Sequence, residues 1–437
     1  MNDDAPPTPD LVARQGQRVF YTWSAQSRAA PFEIVDGAGA RFVTADGARW
    51  WDLGSMTWNA NLGHGHPRMK AALAAAAGRG MLSMPSSVFP EKVRAGELLA
   101  EIAPRGLSKS FLCLSGAEAN ENAIKMARLV TGRKKVVART RSYHGATLAM
   151  LSLSGDPRRE PFEPGLPGVV RTVDPYCYRC PVGREPRTCA HECADDLATV
   201  LQREGPDTVA AVIMEGVVGA NGVFVPPPGY WKKVRGICDR AGVLLIADEV
   251  LSGFGRTGRW FAVDHDAVVP DLMTTAKGLT AGYAPGGAVL VNDRIAHHFD
   301  EAVLLCGLTS YAHPLTVAAI VATIETMREE NVVERAAAAG LQLGQRLKEM
   351  ADAGPRSTIG EVRGVGLLWA LELVVPASRT ALGGEAMARV AAGLKRRHIH
   401  LHKRDNLLYI APPLVVTAAE IDEFVPLLGA AIDEARP

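Results

Sequence analysis

Residues 243–260 have the sequence VLLIADEVLSGFGRTGRW, in which an apolar segment is followed by two carboxylates and then by three glycines. The apolar part predicts a buried strand that ends at Asp248. In an open α/β sheet, ligands bind beyond the carboxyl ends of the strands, which is where Asp248 falls. The segment therefore predicts a binding site at a sheet edge, with Asp248 and Glu249 as the first candidates to act in it.

Gly253, Gly255 and Gly258 match the spacing G-x-G-x-x-G of a dinucleotide-binding loop, so a nicotinamide oxidoreductase is one hypothesis. Such a loop begins directly after its strand and ends where a helix opens. Here five residues separate Ala247 from Gly253, and the sequence RWFAVDH that follows Gly258 has no helical period. We interpret the glycines as turns and keep the nicotinamide hypothesis as a minor alternative.

A lysine follows the next predicted strand at the same edge of the sheet. The segment LMTTA is followed directly by Lys277, which lies 29 residues after Asp248. Pyridoxal phosphate needs this pair, because a lysine forms its Schiff base and an aspartate keeps its ring nitrogen protonated. Taken alone, the two residues fit an ion pair at a domain edge equally well.

Two further segments favour the cofactor over the ion pair. LSGAEANENAIKMAR places Ser115, Gly116 and Ala117 between a strand and a helix, where backbone N–H groups and the helix dipole attract a phosphate. Ser115 also fits an ordinary helix N-cap, and the two interpretations are compatible. SYHGAT places Tyr143 and His144 near another strand end, where an aromatic ring can stack on a flat cofactor.

Short apolar segments alternate with amphipathic helical patterns through the middle of the chain. The predicted strands are KSFLCLS, KKVVART, VAAVIME, VLLIADE, DLMTTAK and GGAVLVN, and two of the helices are EANENAIKMARLVTG and YWKKVRGICDRAG. This alternation predicts an α/β fold with a mostly parallel sheet covered by helices. From about residue 315, Ala-rich helices, a few strands and a last helix predict a smaller α+β domain. We expect residues 61–312 to form the large domain, residues 313–437 the small one, and residues 1–60 to join the small domain.

The composition excludes several classes of partner. Hydrophobic residues make up 47% of the chain, and 48 Lys and Arg balance 47 Asp and Glu. No basic surplus is available for nucleic acid or an anionic membrane, so neither partner is expected. The N-terminal sequence MNDDAPPTPD does not resemble a signal peptide, and the apolar stretches fall short of the roughly 18 residues of a spanning helix. We expect a cytoplasmic protein.

Five segments, in this order, resemble the class III aminotransferases, which have the pyridoxal-phosphate fold type I. They are SGAEANENAIKMAR, SYHGAT, LLIADEVLSGFGRTG, TTAKGLTAGYAPGGAVL and GLTSYAHPLTVAA, and the resemblance extends from about residue 19 to residue 411. VFYTWSAQ, LSGDPRREPFEPG and WFAVDHDAVVPDL resemble the ω-amino acid:pyruvate and taurine–pyruvate branch. The resemblance implies pyridoxal 5'-phosphate as cofactor and a large domain with a seven-stranded, mostly parallel sheet.

The resemblance also implies roles for individual residues. Lys277 would be the Schiff-base lysine and proton carrier, and Asp248 would bind the ring nitrogen. The other implied cofactor contacts are Val250 and Tyr143 on the two faces of the ring, Ser115, Gly116 and Ala117 at the phosphate, His144, and Glu215 on the phenolic side. Thr309 would reach the phosphate of the partner subunit's cofactor, which implies a homodimer, alone or within a tetramer. Gly216 stands where the family usually has proline, which leaves the rigidity of that segment open.

These roles imply a ping-pong transfer of an amino group from a primary amine or ω-amino acid to a keto acid, with pyruvate as the expected acceptor. Trp58, Phe89 and Trp23 are candidates for the apolar wall of the substrate pocket. The family's carboxylate-binding arginine would fall at His402, so Arg404 is the candidate for that role. An aminomutase of the same fold is an alternative, and the donor and 2-oxoglutarate as acceptor stay open.

Four of the seven cysteines cluster in a predicted insertion at residues 175–195. The spacing of Cys177, Cys180, Cys189 and Cys193 is compatible with tetrahedral zinc. Free or partly paired surface thiols are the alternative, and we assign no metal ligands. A non-catalytic scaffold stabilised by metal is thus a third class of function for this sequence.

Overall fold

A computed structural model of the chain describes residues 10–352 and 357–435. Residues 1–9 of the predicted N-terminal segment, and residues 353–356 and 436–437 of the predicted small domain, lie outside the described residues. Among the residues that are described, none of the helices combines the length and the apolar character needed to cross a membrane.

The strands and helices of the described chain alternate through its central part. The strands are β1 (Ile34–Ala38), β2 (Arg41–Thr44), β3 (Arg49–Asp52), β4 (Leu107–Cys113), β5 (Lys135–Arg139), β6 (Val169–Thr172), β7 (Val209–Glu215), β8 (Leu244–Asp248), β9 (Leu272–Thr275), β10 (Gly287–Asn292), β11 (Ile359–Val365), β12 (Leu368–Leu373), β13 (Ile399–His400), β14 (His402–Arg404) and β15 (Leu407–Ile410). The α-helices are α1 (Leu11–Gly16), α2 (Ser55–Trp58), α3 (Pro67–Arg79), α4 (Pro90–Ile102), α5 (Gly116–Thr131), α6 (Leu148–Leu153), α7 (Glu192–Glu204), α8 (Tyr230–Ala241), α9 (Asp293–Glu301), α10 (Pro314–Glu329), α11 (Val332–Ala351), α12 (Gly384–Arg396) and α13 (Ala418–Asp433).

The largest sheet has seven strands in the order β4-β10-β9-β8-β7-β5-β6. Strand β10 runs antiparallel to both of its neighbours, and the pairs from β9 to β6 are parallel. The predicted α/β fold with a mostly parallel seven-stranded sheet is therefore confirmed. Each of the six predicted strands is present. Strand β6 was missed because its four residues, VVRT, are too few to show a periodic pattern.

Helices cover both faces of this sheet, so its central strands β7 and β8 are buried along their whole length. Successive side chains of a strand point to opposite faces. Leu244 and Ile246 pack with the apolar residues of α5, whereas Leu245 and Ala247 pack with those of α8. The same alternation turns Asp248 toward the α5 side of the sheet.

Two smaller sheets lie outside the central one. Strands β1, β2, β3 and β13 form one, and β11, β12, β15 and β14 form the other. The short strand β13 pairs in parallel with β3, which joins the N-terminal segment to the last third of the chain. This pairing supports grouping residues 1–60 with residues 313–437, and the domain boundaries themselves stay a proposal.

Candidate active site

The carboxyl ends of the central strands open into a cavity of about 350 Å³, which we call the inner cavity. Asp248 pairs in register with Thr274 of the neighbouring strand, and Lys277 follows three residues later. Both Asp248 and Lys277 line this one cavity. The predicted residues that line it with them are Ser115, Gly116, Ala117, Tyr143, His144, Glu215, Val250 and Trp58.

The Asp248 carboxylate is 3% exposed and is held by three donors. Its Oδ2 accepts from Asn120 Nδ2 at 2.8 Å and lies 2.7 Å from His144 Nδ1. Its Oδ1 accepts from the backbone N–H of Val250 at 3.0 Å. All three contacts are made by donors, which suits an ionised carboxylate.

The Lys277 amine sits in an apolar environment that lowers its pKa, although the Asp248 and Glu215 carboxylates act in the opposite direction. Its backbone has a φ of 34°, in the left-handed region that costs a side chain with a Cβ. Such local strain is typical of residues that are held in place at functional sites. A lysine with a lowered pKa gives up its own proton more readily, and the neutral amine can then accept a proton.

The N-terminus of α5 forms the wall of the inner cavity opposite the strands. Ser115 Oγ caps this helix by accepting from the N–H of Glu118 at 3.2 Å. Gly116 permits a close approach, because a Cβ there would lie 2.7 Å from Cγ1 of Val250. The first turn therefore presents free backbone N–H groups and the positive end of the helix dipole to the cavity, which suits a phosphate.

Glu215 ends strand β7 and is buried at the back of the cavity. Burial raises its pKa to about 7, because the nearby His144 and two backbone donors only partly offset the desolvation. Those donors are the N–H groups of Tyr143 at 3.0 Å and Gly219 at 2.8 Å. The group can therefore change charge near neutral pH at the end of the strand that faces the inner cavity.

Gly216 fits a site with no room for a side chain. A Cβ there would lie 2.7 Å from both Ala262 Cβ and Ser252 Oγ. The Gly216 N–H donates to the carbonyl of Asp248 at 3.0 Å, and its carbonyl accepts from Trp231 Nε1 at 3.1 Å. These contacts fix the segment without the proline that the family usually has.

Glu249, the second carboxylate of the opening segment, points away from the inner cavity. It accepts from Ser252 Oγ at 2.5 Å and from the N–H of Val263 at 2.9 Å, and it is 1% exposed. These hydrogen bonds stabilise the turn that follows strand β8, so we assign Glu249 a structural role. Asp248 is the one of the two carboxylates that faces the cavity.

The glycines that follow are turns, and the nicotinamide hypothesis is wrong. Gly255 and Gly258 have φ values of 84° and 81°, which a side chain with a Cβ rarely adopts. A Cβ at Gly258 would lie 3.1 Å from Ala337 of helix α11. Residues 259–261 form no helix, and the 3-10 helix that follows, Ala262–His265, is four residues long and too short to be the α-helix that receives a pyrophosphate.

The buried Glu249 predicts a pH-dependent stability. Burial raises the pKa of Glu249 from 4.5 to about 7. Between these two pH values, the folded state keeps a proton that the unfolded state has lost. The stability that this proton provides is complete below pH 4.5 and is lost as pH rises through 7. Glu249→Gln removes this ionisable group. The free energy of unfolding of the variant, relative to that of the wild type, should therefore rise by up to about 3 kcal/mol between pH 4.5 and pH 8. Denaturant unfolding of both proteins over this range measures it, and parallel stability curves would contradict it.

Comparison with known families covers almost the whole chain. Residues 22–432 match the sequence profile of the family described as Aminotransferase class-III. The chain belongs to the class III aminotransferases. This aminotransferase is 34% identical to the putrescine–pyruvate aminotransferase of Pseudomonas aeruginosa, over 94% of this chain and 96% of that protein. It is 32% identical to the taurine–pyruvate aminotransferase of Bilophila wadsworthia, over 98% and 96% of the two chains.

A solved structure of the same family has the same fold. The taurine:2-oxoglutarate aminotransferase of Bifidobacterium kashiwanohense, determined in complex with PLP and glutamate, aligns with a TM-score of 0.92. It shares 35% sequence identity, and the alignment covers 97% of this aminotransferase and 98% of that chain. The expected family and fold type are thereby confirmed.

Class III aminotransferases depend on pyridoxal phosphate, and the inner cavity of this aminotransferase fits that group. Lys277 offers a primary amine for the aldehyde, and Asp248 offers a buried carboxylate for the ring nitrogen. The N-terminus of α5 offers the phosphate site. Val250 and Tyr143 line the space between these groups.

A second cavity of about 590 Å³, the outer cavity, meets the inner one at Lys277. Trp58 and Tyr143 line both cavities. Trp23 and Arg404 line the outer cavity but not the inner one, and Trp23 is 60% exposed. Three of the four predicted substrate residues therefore surround the approach to Lys277.

Two predicted residues are not brought to either cavity. Phe89 is 7% exposed and packs in the main core at the start of α4. Thr309 lies exposed on a turn and lines neither cavity of its own chain. Their assigned contacts stay predictions.

The four clustered cysteines do not form a metal site in the described residues. All seven thiols are free, and no group of three or more His, Cys, Asp or Glu side chains between residues 10–352 and 357–435 is arranged to hold a metal ion. Cys189 Sγ instead donates to Glu192 Oε2 at 3.2 Å. The geometry gives the zinc hypothesis no support, and it stays a prediction from spacing.

Sequence reasoning missed two polar residues around the site. Arg158 lines the outer cavity with its guanidinium 4.4 Å from the centroids of both the Trp23 and Tyr143 rings. Asn120 lies behind Asp248 on α5. An amide among the mostly apolar buried residues of α5 indicates that Asn120 has a polar partner, but the sequence does not show which residue that partner is.

Proposed function

We propose that this aminotransferase moves an amino group from a primary amine or an ω-amino acid to a keto acid, with pyruvate as the acceptor. Support comes from the names of two relatives, which act on putrescine or taurine and share pyruvate. The observation that carries the proposal is the meeting of the two cavities at Lys277, with arginines only in the outer one. This arrangement suits a substrate that reacts at one end and carries an anionic group at the other.

The residues of the inner cavity divide the chemistry among them. When bound, pyridoxal phosphate supplies a ring that accepts the electrons released at the donor carbon. Lys277 Nζ takes the proton from that carbon and returns a proton after the electrons have moved, for which its lowered pKa is suited. Asp248 holds a proton at the ring nitrogen, and the N-terminus of α5 holds the phosphate. Because the same cavity serves both half-reactions, the donor product leaves before the acceptor binds.

The purified enzyme tests this function. Borohydride reduction should attach the cofactor irreversibly to Lys277, as located by peptide mass spectrometry. A panel of putrescine, taurine and β-alanine should yield alanine only when pyruvate is supplied, and a parallel series with 2-oxoglutarate decides the acceptor. Turnover without any keto acid would instead indicate an aminomutase.

The anionic end of a substrate would meet a pair of arginines held by one carboxylate. Asp156 accepts from Arg158 Nε and Nη2, both at 2.9 Å, and from Arg404 Nη1 at 2.6 Å. Burial acts to raise the pKa of Asp156, but these bonds outweigh it and lower the pKa to about 2. One carboxylate thus binds two guanidinium groups, and the cluster has a net positive charge. That charge can bind a carboxylate or sulfonate of the substrate.

Arg404→Ala is expected to raise the KM for pyruvate about 10-fold or more while kcat changes less, because a charge-assisted hydrogen bond to substrate is lost. Steady-state kinetics with varied pyruvate at a saturating amine measures this. Arg159→Ala is the matched control, since Arg159 belongs to the same loop as Arg158 but pairs with Glu163 at the surface. An unchanged pyruvate KM in Arg404→Ala would remove Arg404 from the substrate site.

We also propose that the enzyme is a homodimer in which Thr309 contributes to the partner's site. Two segments near residues 82–88 and 303–309 expose large apolar side chains, including Leu82 at 88% and Val303 at 75% exposed. Exposed apolar side chains of this kind mark protein interfaces when they cluster. Sedimentation equilibrium tests the assembly and separates a dimer from a tetramer, and a stable active monomer would contradict it.

A cytoplasmic location is proposed on the chemistry of the cysteines. All seven thiols are unpaired, including the exposed Cys177, which suits a reducing compartment. Fractionation of cells that express the native gene tests the location.

A further inference from the structure

Asn120 is a fully buried amide on the side of helix α5 that faces the sheet. The helix begins at Gly116, so Asn120 lies one turn behind the predicted phosphate site. Its neighbours on this face, such as Ala119 and Ala123, are apolar. A buried amide is costly unless it is hydrogen-bonded, so its partners indicate why it is present.

The partners of Asn120 fix the orientation of its amide. The carbonyl of His144, at 2.9 Å, and the Asp248 carboxylate, at 2.8 Å, can only accept hydrogen bonds. The nitrogen Nδ2 must therefore face these two groups, and Oδ1 must face Thr274 Oγ1, which donates to it at 2.6 Å. Three of the four hydrogen-bonding positions of the amide are thus filled.

The same network determines which ring nitrogen of His144 carries a proton. Nδ1 must carry a proton because it lies 2.7 Å from Asp248 Oδ2, which accepts. Nε2 is buried and has no hydrogen-bond partner within the described part of the chain. Two donors, from α5 and from the loop after β5, therefore meet on a single oxygen of Asp248.

We propose that Asn120 is a positioning residue for transamination: with its amide oriented by Thr274, it keeps the Asp248 carboxylate ionised and aimed into the inner cavity. This inference rests on the proposed function, because Asp248 then holds the proton of the cofactor's ring nitrogen. Loss of Asn120 leaves that carboxylate with one donor fewer in an apolar site, so the carboxylate more readily takes the proton away from the ring nitrogen.

Three variants test the inference in the holoenzyme. Asn120→Ala removes the amide, and Thr274→Val removes only the hydroxyl that orients it, at nearly constant volume. Asn122→Ala is the matched control on the same helix, because within the described residues the Asn122 amide donates to the carbonyl of Glu118 and makes no hydrogen bond to Asp248. Thermal unfolding of each protein establishes that it is folded before the functional readouts are compared.

The main readout is the ¹⁵N chemical shift of labelled pyridoxal phosphate, which reports the protonation of its ring nitrogen. Over a titration from about pH 6 to pH 9, we expect the fraction of protonated ring nitrogen to be smaller in Asn120→Ala than in the wild type at each pH. Thr274→Val should shift in the same direction by a smaller amount, and Asn122→Ala should match the wild type. We expect kcat/KM to fall about 10-fold or more in Asn120→Ala.

A merely structural role would lower the melting temperature of Asn120→Ala and leave the ¹⁵N titration unchanged, and that result would overturn the inference. If Asn120→Ala does not fold, the titration of Thr274→Val decides, and a wild-type profile there overturns it. A wild-type protein that binds no pyridoxal phosphate would instead overturn the proposed function and this inference with it.

Discussion

Lys277→Ala is expected to lower kcat/KM for transamination by about 10⁴-fold or more, because both the covalent attachment of the cofactor and the proton transfer depend on this amine. The variant should still bind pyridoxal phosphate, since Asp248 and the N-terminus of α5 are untouched. Single-turnover kinetics with an amine donor, followed at the absorbance of the cofactor, measures the loss. Borohydride should no longer link the cofactor to the protein.

Two controls separate chemistry from folding in this experiment. Lys348→Ala removes an exposed cation of helix α11 that lines neither cavity, so it should bind the cofactor and react with the amine donor as the wild type does. A small added amine should partly restore turnover to Lys277→Ala by occupying the vacated space and accepting the proton. Retention of wild-type turnover by Lys277→Ala would show that another group carries the proton.

The central sheet, and the edge at which Asp248 and Lys277 lie together, were predictable from local pattern. Strands β7 and β8 are buried on both faces, so their sequences are continuous apolar runs that stand out against the polar segments around them. The polar residue that ends such a run must lie at the sheet edge, which is why Asp248 could be placed. The spacing of Lys277 then followed from the parallel order of β8 and β9.

The surroundings of that edge were not predictable, because they depend on contacts between segments far apart in sequence. Asn120 reaches Asp248 across 128 positions, and Arg404 reaches Asp156 across 248. A single sequence carries no information on such pairs. The cysteine spacing likewise described a possible ligand set, but the fold determines whether the sulfur atoms converge. Phe89 shows the same limit, since an aromatic residue suits a pocket and a core equally.

Asp248→Asn is expected to lower kcat by roughly 10²- to 10³-fold, the range found when a buried electrostatic contact to a reacting group is removed. The amide has nearly the shape of the carboxylate but no negative charge, so it cannot hold a proton on the ring nitrogen. Its two ends also differ, and only one can accept from the donors of Asn120, His144 and Val250. Cofactor affinity should fall as well, which titration of the apoenzyme measures.

The neighbouring carboxylate provides the matched control for this experiment. At pH 8, above the raised pKa of Glu249, Glu249→Gln also removes a negative charge, but this side chain lies on the opposite side of the strand and contacts Ser252 and Val263. It should therefore keep its kcat while Asp248→Asn loses most of it. Equal losses in the two variants would mean that the general charge of the strand end matters, and that no single carboxylate supports the ring nitrogen. A loss confined to Asp248→Asn, accompanied by an unprotonated ring nitrogen, ties the chemistry to the side of β8 that faces helix α5.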